Sequence, residues 1–314
     1  KNKTAVTDQA AAYREYLNLY ANFKLKVKAA QTLKLDTLEQ LKYDLQNFRS
    51  QVEEGYLTDE ATVNRMLDEA FERSQRDIHL LHFYVPISNK ANPADTVKAH
   101  KAMEEVRDEL LKGKTDYDAL VDEISEEITQ IKGKDLGFIT AFTVPYDIET
   151  LAYGLPKGGI SKVYRTKSAL HVFKNAEERP SAGRWKVAQI LLAIPPDVTH
   201  PQLQRLEKLA DSLYNELKRG ADFTKLAKQY SDDRITYLNG GEMAEFGTGK
   251  FELPFEKAVF ALEKDGDFTQ PIYTGYGFHI VKRLRRTPTP TDKNDETFRA
   301  TLRQQLQQDT RMNI

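Results

Sequence analysis

The chain contains no cysteine. That absence excludes disulfides, thiolate nucleophiles and thiolate-ligated metals, while leaving the redox compartment open. Nor is there an excess of positive charge: 46 Lys and Arg stand against 47 Asp and Glu. No net field exists to hold a polyanion by phosphate neutralisation, so nucleic acid is not the expected partner. No apolar run is long enough to cross a bilayer. The first residue is Lys1, so a signal peptide or membrane anchor is expected to lie outside these residues. No serine sits on a Gly-x-Ser-x-Gly elbow, the histidines lie far apart, and no His-Glu-x-x-His helix occurs. Hydrolytic and metal chemistry are therefore disfavoured, and neither a metal nor a cofactor is expected.

What is present is enough apolar side chain for cores under a heavily charged surface, 40% hydrophobic and 30% charged residues in 314. That length suits two or three folding units. Residues 1–77 read as three helices. The first is marked by Tyr13, Tyr16, Leu17, Tyr20, Phe23 and Val27. A second, starting near Thr37, carries Leu38, Leu41, Leu45, Phe48 and Val52 at alternating intervals of three and four. Gly55 separates it from a third with Val63, Met66, Leu67 and Ala70. None can bury its stripe alone.

From Ile78 the pattern changes to a short apolar strand, and the change happens twice with a period of about 107 residues. Ile78 to Val85 matches Trp185 to Leu192. Each strand is followed by a Pro-containing loop and an amphipathic helix, closed by Gly113 in the first copy and Gly220 in the second. An acid then precedes an aromatic, Asp116-Tyr117 and Asp222-Phe223. Each copy ends on a strand holding a histidine, Leu170-His171-Val172-Phe173 and Phe278-His279-Ile280-Val281. Two β-α-β units of one design are the simplest reading. Residues 177–183, with Pro180 and Gly183, read as a hinge-like linker, and residues 287–293 as another. The final segment places Phe298, Leu302 and Leu306 on one helical face, which is expected to dock on the N-terminal helices.

The second copy carries an ordered string of residues: Gly220-Ala221-Asp222-Phe223, Ala227, Tyr230-Ser231-Asp232-Asp233, Gly240-Gly241, Phe255, Ala258, Phe260, Leu262, Gln270-Pro271-Ile272-Tyr273-Thr274 and Gly277-Phe278-His279-Ile280. Through these residues the chain resembles the parvulin-type peptidyl-prolyl cis/trans isomerases over about 100 residues. The layout, two such repeats between helical flanks, is similar to the periplasmic surface-protein chaperones of Gram-negative bacteria.

The resemblance implies an α+β fold: two parvulin-like domains at residues 78–178 and 184–286, each a four-stranded antiparallel sheet with surrounding helices. They are flanked by an N-terminal helical region (1–77) and a linker with a C-terminal helix (287–314). It also implies site residues. Asp233 takes the central Asp or Cys place and His279 the C-terminal histidine place, while Gln189 stands where the family has its N-terminal histidine. Met243, Phe251 and Phe255 fall on the proline pocket. In the first copy the histidine pair is His82 and His171, Glu127 takes the central acidic place, and the double glycine is reduced to Gly133-Lys134. The segment after it reads as shortened, with Phe142 and Tyr146 as the pocket wall.

The implied activity is isomerisation of X-Pro bonds in unfolded or extended polypeptide clients, outer-membrane or secreted proteins, in the periplasm or cell envelope. It is expected in the second repeat. A bland reading stands beside it: strand histidines, an Asp pair in a turn and buried phenylalanines are also ordinary structural residues. The alternative function is a non-catalytic peptide-binding chaperone built from degenerate copies of the domain.

Overall fold

The computed structural model describes residues 9–57, 60–88, 90–125 and 130–313. The chain divides into two compact units, Lys1–Arg65 and Met66–Ile314. In the first, helices α1 (Gln9–Thr32) and α2 (Glu39–Leu57) are joined by a short turn at Leu35–Thr37. Their apolar stripes, expected to be buried, are open: Leu38, Leu41, Leu45 and Phe48 are all exposed, as are Tyr13, Tyr16, Leu17 and Phe23. The side chain of Val52 lies outside the described residues.

Helix α3 (Glu60–Ser74) runs into the second unit, where Leu67, Ala70 and Phe71 are buried. β1 (Arg76–Pro86), α4 (Pro93–Leu111), α5 (Tyr117–Ile124), β2 (Lys132–Ile139), α6 (Tyr146–Tyr153), β3 (Tyr164–Arg165) and β4 (Ala169–Pro180) form the first repeat. β5 (Arg184–Ala193), α7 (His200–Lys218), α8 (Phe223–Tyr230), α9 (Leu253–Phe260), β6 (Ile272–Thr274) and β7 (Gly277–Thr287) form the second. α10 (Glu296–Gln308) follows, and after it a short 3-10 turn at Thr310–Asn313. α10 packs on α3 through an edge-to-face contact of Phe298 with Phe71 and an Arg299–Asp68 ion pair of 2.7 Å. The expected docking of the last helix is thus made by α3.

Local chemistry explains the shared frame. The acids before the aromatics are helix caps: Asp116 accepts from the Ala119 amide and Asp222 from the Lys225 amide, satisfying donors that a helix start leaves orphaned. Gly113 and Gly220 take φ of 91° and 95°, the left-handed closure expected of them. In each repeat the paired helices cover one face of the sheet. The other face carries a second cluster, Ile78, Leu80, Ile139, Ala152 and Phe173 in the first repeat and Trp185, Val187, Phe246, Val259 and Val281 in the second.

Two expectations change. The first repeat has an antiparallel sheet in the order β2-β1-β4-β3, but the second has three strands, β5-β7-β6. The place of β2 is held there by isolated bridges, Ala188 with Glu242 and Trp185 with Phe246. Gly240 and Gly241, at φ 71° and 85°, bend this segment, whereas Gly133 and Lys134 sit within β2 opposite Phe83 and His82. Residues 177–183 are also not a hinge. Glu177, Glu178 and Arg179 pair with His79, Ile78 and Asp77 in the β1–β4 ladder, leaving three residues before β5.

Candidate active site

In the second repeat, Leu191 of β5 pairs with His279 of β7, so Gln189, two residues earlier, shares the face of His279. The double glycine makes this approach possible. The Gln189 amide donates to the Gly241 carbonyl at 2.8 Å, and a Cβ on Gly241 would lie 2.1 Å from the Gln189 carbonyl oxygen. The acidic pair after α8 divides its work. Asp232 is tied to the edge of β5, its amide donating to Leu191 O at 2.7 Å and its carboxylate accepting from Ala193 N at 2.9 Å. That anchoring turns Asp233 toward Gln189.

One hydrogen-bonded chain results. The Gln189 amide nitrogen donates to Asp233 Oδ2 at 2.8 Å, its Oε1 lies 3.1 Å from His279 Nδ1, and His279 Nε2 lies 2.8 Å from the Thr274 hydroxyl. The carboxylate can only accept, which fixes every other role. Gln189 turns its NH2 to Asp233 and its oxygen to His279, so Nδ1 donates and Nε2 accepts from Thr274. Burial pushes the His279 pKa down to about 4, which keeps the ring neutral in this tautomer. Burial alone would raise the Asp233 carboxyl. Hydrogen bonds from Thr236 at 2.5 Å, Gln189 and the Ile235 amide outweigh it and hold the group below its ordinary value, so Asp233 is ionised. Ser231, Asp232, Arg234, Tyr237 and Leu238 line an open depression beside it.

The apolar triplet lies next to this chain. Met243 and Phe251 are half-buried, while Phe255 is 2% exposed and meets His279 edge-on at 5.4 Å between centroids. Phe251 and Phe255 are 4.7 Å apart, with Phe246 4.7 Å from Phe251. Phe255 is thus a floor residue, and Met243 and Phe251 offer the accessible apolar surface. Beneath them Glu256, buried on α9, accepts from the amides of Gly249, Lys250 and Phe251 and shapes the preceding loop.

The first repeat repeats half of this. His82 Nε2 lies 2.8 Å from His171 Nδ1, and His171 Nε2 lies 3.0 Å from the Thr166 hydroxyl. Burial, the neighbouring His171 and Lys134 lower the His82 pKa to about 4, and burial lowers that of His171. Glu127 lies outside the described residues. Phe142 and Tyr146, expected as the pocket wall, are half-buried. The period of about 107 residues holds without shortening from Ile78/Trp185 through Leu155/Leu262, so the counterparts of Met243, Phe251 and Phe255 are Leu136, Val144 and Ile148. All three are aliphatic. Phe142 and Tyr146 flank the buried Arg311 guanidinium, 4.2 and 4.5 Å from the ring centres, which pairs with Glu149 at 2.8 Å.

Motif reading passed over Thr166 and gave Thr274, though part of the matched string, no role of its own. Each stands five positions before its histidine in both copies, a signal visible to self-comparison but not to a search for acids and bases.

Comparison with known proteins follows the same division. The rotamase family, described as a PPIC-type PPIase domain, matches residues 79–177 and 190–285. Among curated proteins the chain is similar to the Chaperone SurA of Alkalilimnicola ehrlichii, 27% identical over 265 residues, covering 83% of this chain and 60% of that protein. It is also similar to the Foldase protein PrsA 2 of Listeria innocua, 42% identical over 106 residues, covering 33% of this chain and 36% of that one. The chain thus spans about half to three-fifths of the length of the SurA relatives it matches. Among solved structures, the peptidylprolyl isomerase PrsA of Bacillus anthracis is 27% identical over 41% of this chain and 54% of its own, with a TM-score of 0.31.

Proposed function

Because the chain belongs to the PPIC-type peptidyl-prolyl isomerase family, with two domains of that type, we propose that it isomerises X-Pro bonds in unfolded polypeptides and that residues 184–286 carry the activity. The observation that supports this is the ionised Asp233, joined through Gln189 to a neutral His279, beside the half-buried Met243 and Phe251.

The chemistry asked of the site is modest. The X-Pro bond turns over a barrier of about 18–20 kcal/mol without covalent help. Seating the proline ring on Met243 and Phe251 removes water from the amide and disfavours its planar, charge-separated resonance form. The twisted transition state is then bound better than either ground state. Asp233 and His279 orient the groups around the twisting amide, and neither acts as a nucleophile. Gln189 keeps both neighbours in place without a titrating group. The site residues are therefore Asp233, Gln189 and His279 for orientation, with Met243 and Phe251 for binding over a Phe255 floor.

The helical region supplies the holding function. The exposed aromatic and leucine side chains of α1 and α2 form an apolar surface suited to extended clients. We assign those clients to outer-membrane or secreted proteins and the protein to the periplasm or cell envelope, on its similarity to Chaperone SurA. The working divisions are residues 1–77, 78–178, 184–286 and 287–314.

The test is cis/trans exchange of an Xaa-Pro peptide followed by NMR with catalytic amounts of the full chain. Acceleration that disappears in Asp233→Ala with Phe251→Ala supports the reading. Peptide binding without acceleration would establish a binding module instead.

A further inference from the structure

The loop that carries Phe251 is held from two sides, and one of them is the other repeat. Between the bridge at Phe246 and the start of α9 at Leu253 run Gly247, Thr248, Gly249, Lys250, Phe251 and Glu252, with Gly249 at φ 83°. So glycine-rich a segment has little stiffness of its own. Glu256 anchors it from within the second repeat. From the first repeat, buried Asp77 at the start of β1 accepts the Thr248 hydroxyl at 2.6 Å, and Arg179 near the end of β4 donates to Asp77 at 3.1 Å and to Thr248 at 3.3 Å. The Arg179 guanidinium lies 3.7 Å from the centre of the Phe138 ring and 5.2 Å from that of Phe260, joining the two repeats. The backbone fits equally closely. A Cβ on Gly249 would come within 3.1 Å of Thr143 Cγ2.

This second anchor is not a feature of the domain in general. At the repeat period, the place of Thr248 is taken in the first copy by Ala141, which has no hydroxyl, and that of Asp77 in the second by Arg184. The contact joins a residue of one copy to a residue of the other, and both are almost fully buried, Asp77 at 0% and Thr248 at 6% exposure. A buried carboxylate is tolerated only with donors on it. Asp77 Oδ2 takes its donors from Thr248, Arg179 and the Ala182 amide, so Thr248 serves Asp77 as Asp77 serves the loop.

We infer that the first repeat serves as a positioning element for the proline pocket of the second: Asp77 and Arg179 fix Thr248, and through it the loop that presents Phe251. This rests on the pocket assignment made above. Asp77, Arg179 and Thr248 touch no substrate and are positioning residues. The inference gives the first repeat a role in the reaction that its own aliphatic pocket does not require.

Thr248→Val in the full chain keeps the side-chain shape and removes the hydroxyl, and Thr248→Ser keeps the hydroxyl. The expected result is a rise in KM for an Xaa-Pro peptide of about fivefold in Thr248→Val, the worth of one net hydrogen bond, with kcat changed less and Thr248→Ser near the unaltered chain. A merely structural contact would lower the melting temperature and leave KM of the folded protein unchanged, which overturns the inference. If Thr248→Val does not fold, Arg179→Gln breaks the same anchor from the first-repeat side, with the same rise expected and an unchanged KM decisive against it. Should the unaltered chain bind the peptide without isomerising it, the catalytic reading fails alone. The comparison is then made on the peptide dissociation constant, where equal values overturn the inference; an unaltered chain that neither binds nor isomerises overturns both.

Discussion

At equivalent places β1 carries His82 and β5 carries Gln189, and both side chains approach the following histidine at Nδ1, 2.8 Å away in the first repeat and 3.1 Å in the second. Around this common contact the copies diverge. The second adds a carboxylate to the chain and lines the adjoining surface with Met243 and two phenylalanines; the first lines it with Leu136, Val144 and Ile148. The comparison shows that the exchange of histidine for glutamine need not mark decay. A carboxamide accepts from Nδ1 as an imidazole nitrogen does and donates to Asp233 at the same time. What distinguishes the copies is the floor and wall beside the histidine.

The largest expected effect that sharpens this comparison is on stability. Phe255 fills the floor under His279, so Phe255→Ala should destabilise the second repeat by about 3–5 kcal/mol. Ile148→Ala, at the half-buried equivalent place, should cost clearly less. Denaturant unfolding of the two variants, with hydrogen exchange to locate the loss, measures both. Equal costs would mean that the two floors are packed alike. Because Phe255→Ala unfolds as well as empties the site, Phe251→Ala is the cleaner probe of activity.

Acid separates the repeats next. His279 has its pKa lowered from 6.5 to about 4 in the folded chain. Its neutral state therefore contributes stability in full above about pH 6.5, and that contribution is lost as the pH falls toward 4, about 3 kcal/mol in all. The first repeat has two such groups, His82 lowered to about 4 and His171 lowered beside it. Amide protection of residues 170–173 should consequently be lost at a higher pH than that of residues 278–281. The reverse order would contradict the assignment of neutral rings in the first repeat.

Breaking the chain at its middle should be costly only in the second copy. Gln189→Leu leaves Asp233 and His279 without their shared partner and should lower kcat/KM about tenfold, as loss of hydrogen bonds to a charged group does. His82→Leu should change it less than about twofold. Gln189→His tests the equivalence directly, and retention of most activity is expected. The smallest effect concerns substrate charge. Residues 193–200, after β5, contain no Lys or Arg to pair with a phosphate, so phosphorylated and plain Ser-Pro peptides should differ by less than about threefold. A strong preference for the phosphorylated peptide would place an unrecognised basic site near Asp233.

Much of this was legible before the structure. Apolar strands, cap residues and glycine stops repeat at one spacing, which marks the two β-α-β units, while the places of Asp233, Gln189 and His279 follow from the resemblance to the parvulin family. Residue type and spacing point to different places in two segments. Phe142 and Tyr146 are the aromatic residues of their segment, while the period points to Val144 and Ile148. Residues 177–183 read as a hinge because of Pro180 and Gly183, yet Glu177 to Arg179 are held in a ladder by β1. The α2 stripe, a good helical pattern, predicts a helix but not what covers it. Asp77 and Thr248 left no local signal, since their meaning lies in a contact between residues 171 positions apart.

The central claim is that isomerisation depends on the apolar surface of the second repeat and not on that of the first. It is tested most directly by the rate of cis/trans exchange of an Xaa-Pro peptide, measured by NMR with the full chain, with Phe251→Ala and with Val144→Ala at the equivalent place. The account predicts a loss of about tenfold or more in Phe251→Ala and a change within about twofold in Val144→Ala. Full activity in Phe251→Ala, or a loss in Val144→Ala as large, would contradict it.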